Sequence, residues 1–128
     1  DILKTRGNVF HLCTASDATT THKLLTGTPL DAIFSPANTM RTTRDDVTVS
    51  KPAAEPYLRA AKLSNKHPKD CIAFEDSLTG MQSATAAGVT HRLGIIGTFS
   101  GQALTQAGAT AVFATFRCVC VCVCVCVC

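Results

Sequence analysis

Cys71-Ile72-Ala73-Phe74-Glu75-Asp76-Ser77-Leu78-Thr79-Gly80-Met81 is the stretch that decides the fold. Cys71 to Phe74 form a continuous apolar run, which reads as a short strand buried on both faces. Glu75-Asp76-Ser77 is its exit, and residues 78–87 read as a small-residue helix stopped by Gly88. A buried strand that leaves through acids into a helix is half of a strand–helix–strand unit.

The alternation continues in both directions. Upstream, residues 8–13 (Asn-Val-Phe-His-Leu-Cys) read as a buried strand, and Ser16 or Asp17 can cap a helix near residues 17–25 that Gly27 stops. Leu30 to Phe34 reads as a second strand, and residues 35–50 as an irregular loop rich in Ser, Thr, Asn, Asp and Arg. Pro52 and Pro56 open the next helix, Ala54, Tyr57, Leu58 and Ala61 form its buried stripe, and Asn65 is its stop. Downstream come a strand at His91–Ile96, a helix at Ser100–Ala107 ended by Gly108, and a last strand at Ala111–Phe116. Continuous apolar strands separated by helices imply an α/β fold whose parallel sheet is covered on both faces. Ligands of such sheets bind beyond the C-terminal strand ends, so polar residues there are the candidates for chemistry.

The chain has 128 residues, about one domain, and a formal charge of +3. That charge is too small and scattered for a nucleic-acid partner. No apolar run approaches the ~18 residues of a membrane span, so no membrane partner is expected. The N-terminus lacks the basic-then-apolar pattern of a signal peptide. Residues 118–128 strictly alternate Cys and Val and hold six of the eight cysteines. As a strand, this tail would put Cys on one face and Val on the other, and it is an aggregation hazard. A Cys-x-Cys array can bind a soft metal, but the tail lacks the ligand spacing of a closed zinc site. A run of alternating T and G bases translates into the same repeat, so the tail reads as a translated dinucleotide repeat without selected function. The alternative is a non-catalytic metal-binding protein that works through the tail. The other two cysteines, Cys13 and Cys71, sit in apolar runs and read as buried thiols, which points to a reducing, cytoplasmic compartment.

Three polar groups stand at strand ends. Thr14-Ala15-Ser16 leaves the first strand, where hydroxyls and turn N–H groups suit a phosphate, or where Ser16 simply caps the helix. Lys51, held extended by Pro52, can present its ammonium to an anion or to solvent. Glu75-Asp76 places two carboxylates side by side, which calls for a positive partner, either a divalent cation or Lys51. The acids also suit a helix start.

In order and spacing these groups resemble the haloacid dehalogenase-like hydrolase superfamily, in its phosphatase and phosphoglucomutase-like branch. The resemblance rests on Leu12-Cys13-Thr14-Ala15-Ser16, on Lys51-Pro52-Ala53-Ala54-Glu55-Pro56-Tyr57-Leu58, and on Phe74-Glu75-Asp76-Ser77-Leu78-Thr79-Gly80-Met81, with Ala84, Ala87 and Gly88 following. It implies a three-layer Rossmann-like α/β core and a small phosphorylated metabolite as substrate. It further implies that Thr14, Ala15 and Ser16 hold the phosphoryl group, that Lys51 neutralises it as a catalytic residue, and that Glu75 and Asp76 hold Mg²⁺, directly or through water. Gly80 would let the backbone pass close to the site.

One part of the family pattern is missing. The superfamily carries an Asp-x-Asp on its first strand, nucleophile first and general acid/base second, and no Asp-x-Asp occurs in this sequence. Residues 1–117 therefore resemble the C-terminal portion of the core, with the first strand and the cap missing, followed by the tail at 118–128. Residues 1–128 alone are expected to lack turnover. The missing strand would lie between those ending at Thr14 and Glu75, which are then expected to pair with each other or to leave backbone groups unpaired. Each unpaired buried group costs roughly 1–3 kcal/mol.

Overall fold

The structure is a computed structural model that describes residues 9–34, 40–115 and 125–127. Residue 8, residues 35–39, Phe116, residues 118–124 and the side-chain faces expected for the tail lie outside the described residues. The elements are β1 (Phe10–Cys13), α1 (Ala18–Leu25), α2 (Asp31–Phe34), β2 (Arg41–Thr42), α3 (Glu55–Leu63), β3 (Ile72–Glu75), α4 (Leu78–Ala86), β4 (His91–Ile95), α5 (Gly101–Gln106), β5 (Ala111–Phe113) and β6 (Val125–Val127). They form three layers around one six-stranded sheet, ordered β2-β1-β6-β3-β4-β5.

The β1–β2, β3–β4 and β4–β5 pairs are parallel, as continuous apolar strands joined through helices require. On one face, Leu12 and Phe74 pack with Leu25 of α1 and Phe34 of α2. On the other, Cys13 and Ala73 pack with Tyr57, Ala60 and Ala61 of α3 and Ala84 of α4. Met81 of α4 and Leu104 of α5 extend that layer to the β5 side. The small residues at these contacts bring the helices close to the sheet. Gly108 is a tight case: its φ is +115°, and a Cβ there would stand 2.2 Å from the Thr85 hydroxyl.

The exception to parallel pairing is β6. It lies antiparallel between β1 and β3, with Phe10, His11 and Leu12 opposite Val127, Cys126 and Val125, and Ile72 and Ala73 opposite Val127 and Cys126. The gap expected between the strands ending at Thr14 and Glu75 is thus neither closed by their direct pairing nor left open. An extended segment without Gly, Pro or charge can satisfy both edges at once, and the Cys-Val repeat is such a segment.

Four other expectations are corrected. Leu30–Phe34 is not a strand: Pro29 and Thr28 start a turn, the Asp31 N–H donates to the Thr28 carbonyl, and one helical turn follows. Residues 35–50 are not wholly irregular. Arg41–Thr42 is a strand because the Leu12 and Thr14 amides donate to the carbonyls of Met40 and Thr42. Leu58 is 47 % exposed; the sheet-facing stripe of α3 centres on Tyr57, Ala60 and Ala61, which turns Leu58 outward. Cys71 is buried but is not a thiol: it is disulfide-bonded. Cys71 immediately precedes β3, the strand beside the cysteine-bearing β6, and its bonded state removes the ground for expecting a reducing compartment. Cys13 is free and fully buried.

His11 is buried on β1, its Nε2 2.9 Å from the Thr42 hydroxyl. Desolvation, reinforced by the nearby Arg59, lowers its pKa from 6.5 to about 4. As pH falls from 6.5 towards 4, the unfolded chain takes up a proton that the folded chain refuses. The stability His11 contributes is therefore whole above pH 6.5 and drains away below it. The slope is at most ~1.4 kcal/mol per pH unit. Urea midpoints at pH 7 and pH 5 should differ more in the wild type than in His11→Gln; equal differences would refute this account.

Candidate functional site

The C-terminal ends of β1 and β3 open into one cavity of about 420 Å³. Its walls include Thr14, Ala15 and Ser16 after β1, Lys51 before α3, and Glu75 and Asp76 at the end of β3, together with Ser77 and Thr79. All six residues singled out from the sequence thus face one space, although they come from three separated segments.

Asp17, rather than Ser16, caps α1, its Oδ1 accepting from the Thr20 N–H at 2.7 Å. The Thr14 hydroxyl oxygen accepts from the Ser16 N–H at 3.1 Å, which curls the turn around the mouth of the cavity. The Thr14 N–H donates to the Thr42 carbonyl, so β2 fixes the turn's base.

Lys51 enters from the side. The Lys51–Pro52 peptide is cis. The lysine side chain is only 6 % exposed. Its ammonium donates to the Cys13 carbonyl at 3.0 Å and to the Glu75 carboxylate, and lies 5.1 Å from the centre of the Tyr57 ring. The flanking Cys13 thiol is no rival nucleophile: burial pushes it up to about 11.

The structure separates the two acids. Glu75 is 1 % exposed, whereas Asp76 is exposed at the cavity mouth. Glu75 accepts from Lys51, from the Tyr57 hydroxyl at 2.7 Å and from the Ser77 hydroxyl at 3.0 Å. The positive partner that the acid pair calls for is, for Glu75, Lys51. Gly80 makes room for this carboxylate: a Cβ there would stand 2.1 Å from Glu75 Oε2. Ser77 also caps α4, its hydroxyl accepting from the Gly80 N–H at 3.1 Å.

Mg²⁺ often takes one or two protein carboxylates and completes its shell with water and phosphate. Asp76 fits that pattern. Glu75, whose two oxygens already serve side-chain donors, is suited to act through water. Among the described residues no cluster of three His, Cys, Asp or Glu could hold a metal.

Two members of the constellation were not singled out from the sequence. Tyr57 reads there only as part of an apolar stripe. Its signal is a hydroxyl that must find a partner when buried, one turn after Lys51-Pro52. Ser77 reads as part of a strand exit, and nothing in its spacing marks it as a partner of Glu75.

A model of the haloacid dehalogenase-like hydrolase family matches residues 1–88. The phosphorylated carbohydrates phosphatase of Thermotoga maritima is 36 % identical over 69 residues, which is 53 % of this chain and 32 % of that protein. A solved structure from Thermotoga maritima assigned as a beta-phosphoglucomutase aligns with a TM-score of 0.78 at 27 % identity, covering 88 % of this chain and 50 % of that one. CbbY from Rhodobacter sphaeroides, in complex with xylulose-1,5-bisphosphate, aligns with a TM-score of 0.72 at 25 % identity, over 88 % of this chain and 49 % of that one. The chain spans about half the length of these structures and a third of the curated relative.

Proposed function

The chain belongs to the haloacid dehalogenase-like hydrolase family, and from that premise we propose that its cavity binds the phosphoryl group of a small phosphorylated metabolite. The observation that carries the proposal is the meeting of Thr14, Ala15, Ser16, Lys51 and Asp76 around one open space. Phosphoryl transfer needs oxygens aligned and charge neutralised more than it needs a strong base. Hydroxyl and amide donors of the Thr14–Ser16 turn would hold phosphoryl oxygens, and the Lys51 ammonium would offset their charge. Asp76 would hold Mg²⁺ in company with the phosphate and water, and Glu75 would act behind it by fixing Lys51. The metal would supply charge neutralisation at the transferring group. The compounds named for two relatives, phosphorylated carbohydrates for the phosphatase and bound xylulose-1,5-bisphosphate for CbbY, support a phosphorylated sugar as the ligand class.

Binding and turnover part company in this proposal. Residues 1–128 contain no Asp-x-Asp, so they would grip a phosphoryl group without a nucleophile strand to attack it. Calorimetry should show inorganic phosphate binding that Mg²⁺ strengthens, while hydrolysis of an aryl phosphate stays at background. Mg²⁺-dependent hydrolysis abolished by Lys51→Ala would overturn the second half, and absence of phosphate binding the first. The proposal does not extend to metal binding by the Cys-Val tail, because its described part, Val125–Val127, is engaged in the sheet.

A further inference from the structure

Tyr57 is buried at 1 % exposure on the sheet-facing stripe of α3, where a phenylalanine would fill the same space. A hydroxyl in that position carries a desolvation cost unless it is bonded. Here it donates to Glu75 Oε1, the same oxygen that accepts from Lys51. Two donors on one carboxylate oxygen divide its negative charge between them. The other oxygen, Oε2, accepts from Ser77. The ring of the same tyrosine stands beside the ammonium, at cation–π range.

We infer that Tyr57 is a positioning residue of the anion site: by holding Glu75, it keeps that carboxylate from fully neutralising Lys51 and leaves ammonium charge for a phosphoryl oxygen. The inference rests on the phosphate-binding proposal and deepens it. An incoming phosphate draws on the Lys51 ammonium, and Glu75 then leans on its remaining donors, the Tyr57 and Ser77 hydroxyls. Without the tyrosine hydroxyl, Glu75 binds Lys51 more closely and the lysine serves the anion less well.

The chain has a built-in reporter for this coupling, since Tyr57 is its single tyrosine and it has no tryptophan. Inorganic phosphate should be titrated into the full-length protein, with binding followed by calorimetry and by Tyr57 emission. A saturable emission change that tracks the calorimetric isotherm is expected. Tyr57→Phe, which keeps the ring and removes the hydroxyl, should bind phosphate about fivefold more weakly, the effect of one hydrogen bond. A residue that only packs would move neither the emission on binding nor the affinity of a folded Phe variant. Unchanged affinity in Tyr57→Phe, with no emission response in the wild type, would overturn the inference while phosphate binding itself stood. Absence of calorimetric binding in the wild type would instead fell the phosphate proposal, and the role of Tyr57 with it.

Discussion

Removing residues 118–128 is expected to abolish the cooperative unfolding transition of this protein or to lower its midpoint sharply. β6 stands in the middle of the sheet, not at its edge, and pairs with β1 on one side and β3 on the other. Its loss uncovers two rows of backbone N–H and C=O groups at once. Each net hydrogen bond lost costs about 0.5–1.5 kcal/mol, and several are lost together, against a total stability of about 5–15 kcal/mol for an ordinary domain. The truncated chain would also expose two new strand edges, so self-association should accompany the loss. The comparison belongs under reducing conditions, so that the Cys71 disulfide contributes to neither sample. Amide exchange gives the local reading: the His11 and Ile72 amides, which lie on the β6 side of their strands, should exchange much faster in residues 1–117. An unchanged urea midpoint with those amides still protected would show that β1 and β3 hold together without β6.

Lys51→Met should be the most damaging point substitution at the site. It deletes the cation beside a carboxylate that is 1 % exposed, leaving Glu75 with only the hydroxyls of Tyr57 and Ser77. Stranding a buried charge typically costs 3–5 kcal/mol, far more than the net value of the pair. The double variant Lys51→Met, Glu75→Gln removes both charges and should recover most of that stability, though not phosphate affinity. A double-mutant cycle on urea midpoints, with calorimetry alongside, separates the two effects. If Lys51→Met costs less than about 1 kcal/mol, the value of an exposed pair, the buried coupling described here is wrong.

The parts of the fold legible in the sequence were those marked by chain-stopping residues. Gly27, Gly88 and Gly108 end α1, α4 and α5 with positive φ, and each helix lies where the punctuation places it. The apolar runs that became β1, β3, β4 and β5 were equally plain. Leu30–Phe34 was misread because a run of five apolar and acidic residues has no period long enough to tell strand from helix. Arg41–Thr42 was missed because its strand character comes from β1's amides rather than from its own side chains. β6 was illegible for a deeper reason: its place depends on a vacancy between two other strands, and no property of the repeat points to that vacancy. At the site, Thr14, Glu75 and Asp76 could be picked out because polar groups at a strand exit are conspicuous, and Lys51 because Pro52 follows it at the start of a helix. The division of labour between Glu75 and Asp76 could not, since it depends on Tyr57 and Ser77 reaching across from other elements.

The strand in the centre of the sheet has no unique address. Its sequence repeats every two residues, so sliding it by two returns the same residue types to the same neighbours: Phe10 would face another valine and His11 another cysteine. Ordinary strands are pinned because a wrong alignment changes what each partner meets. Here several alignments are chemical twins, so the repeat by itself does not choose among them.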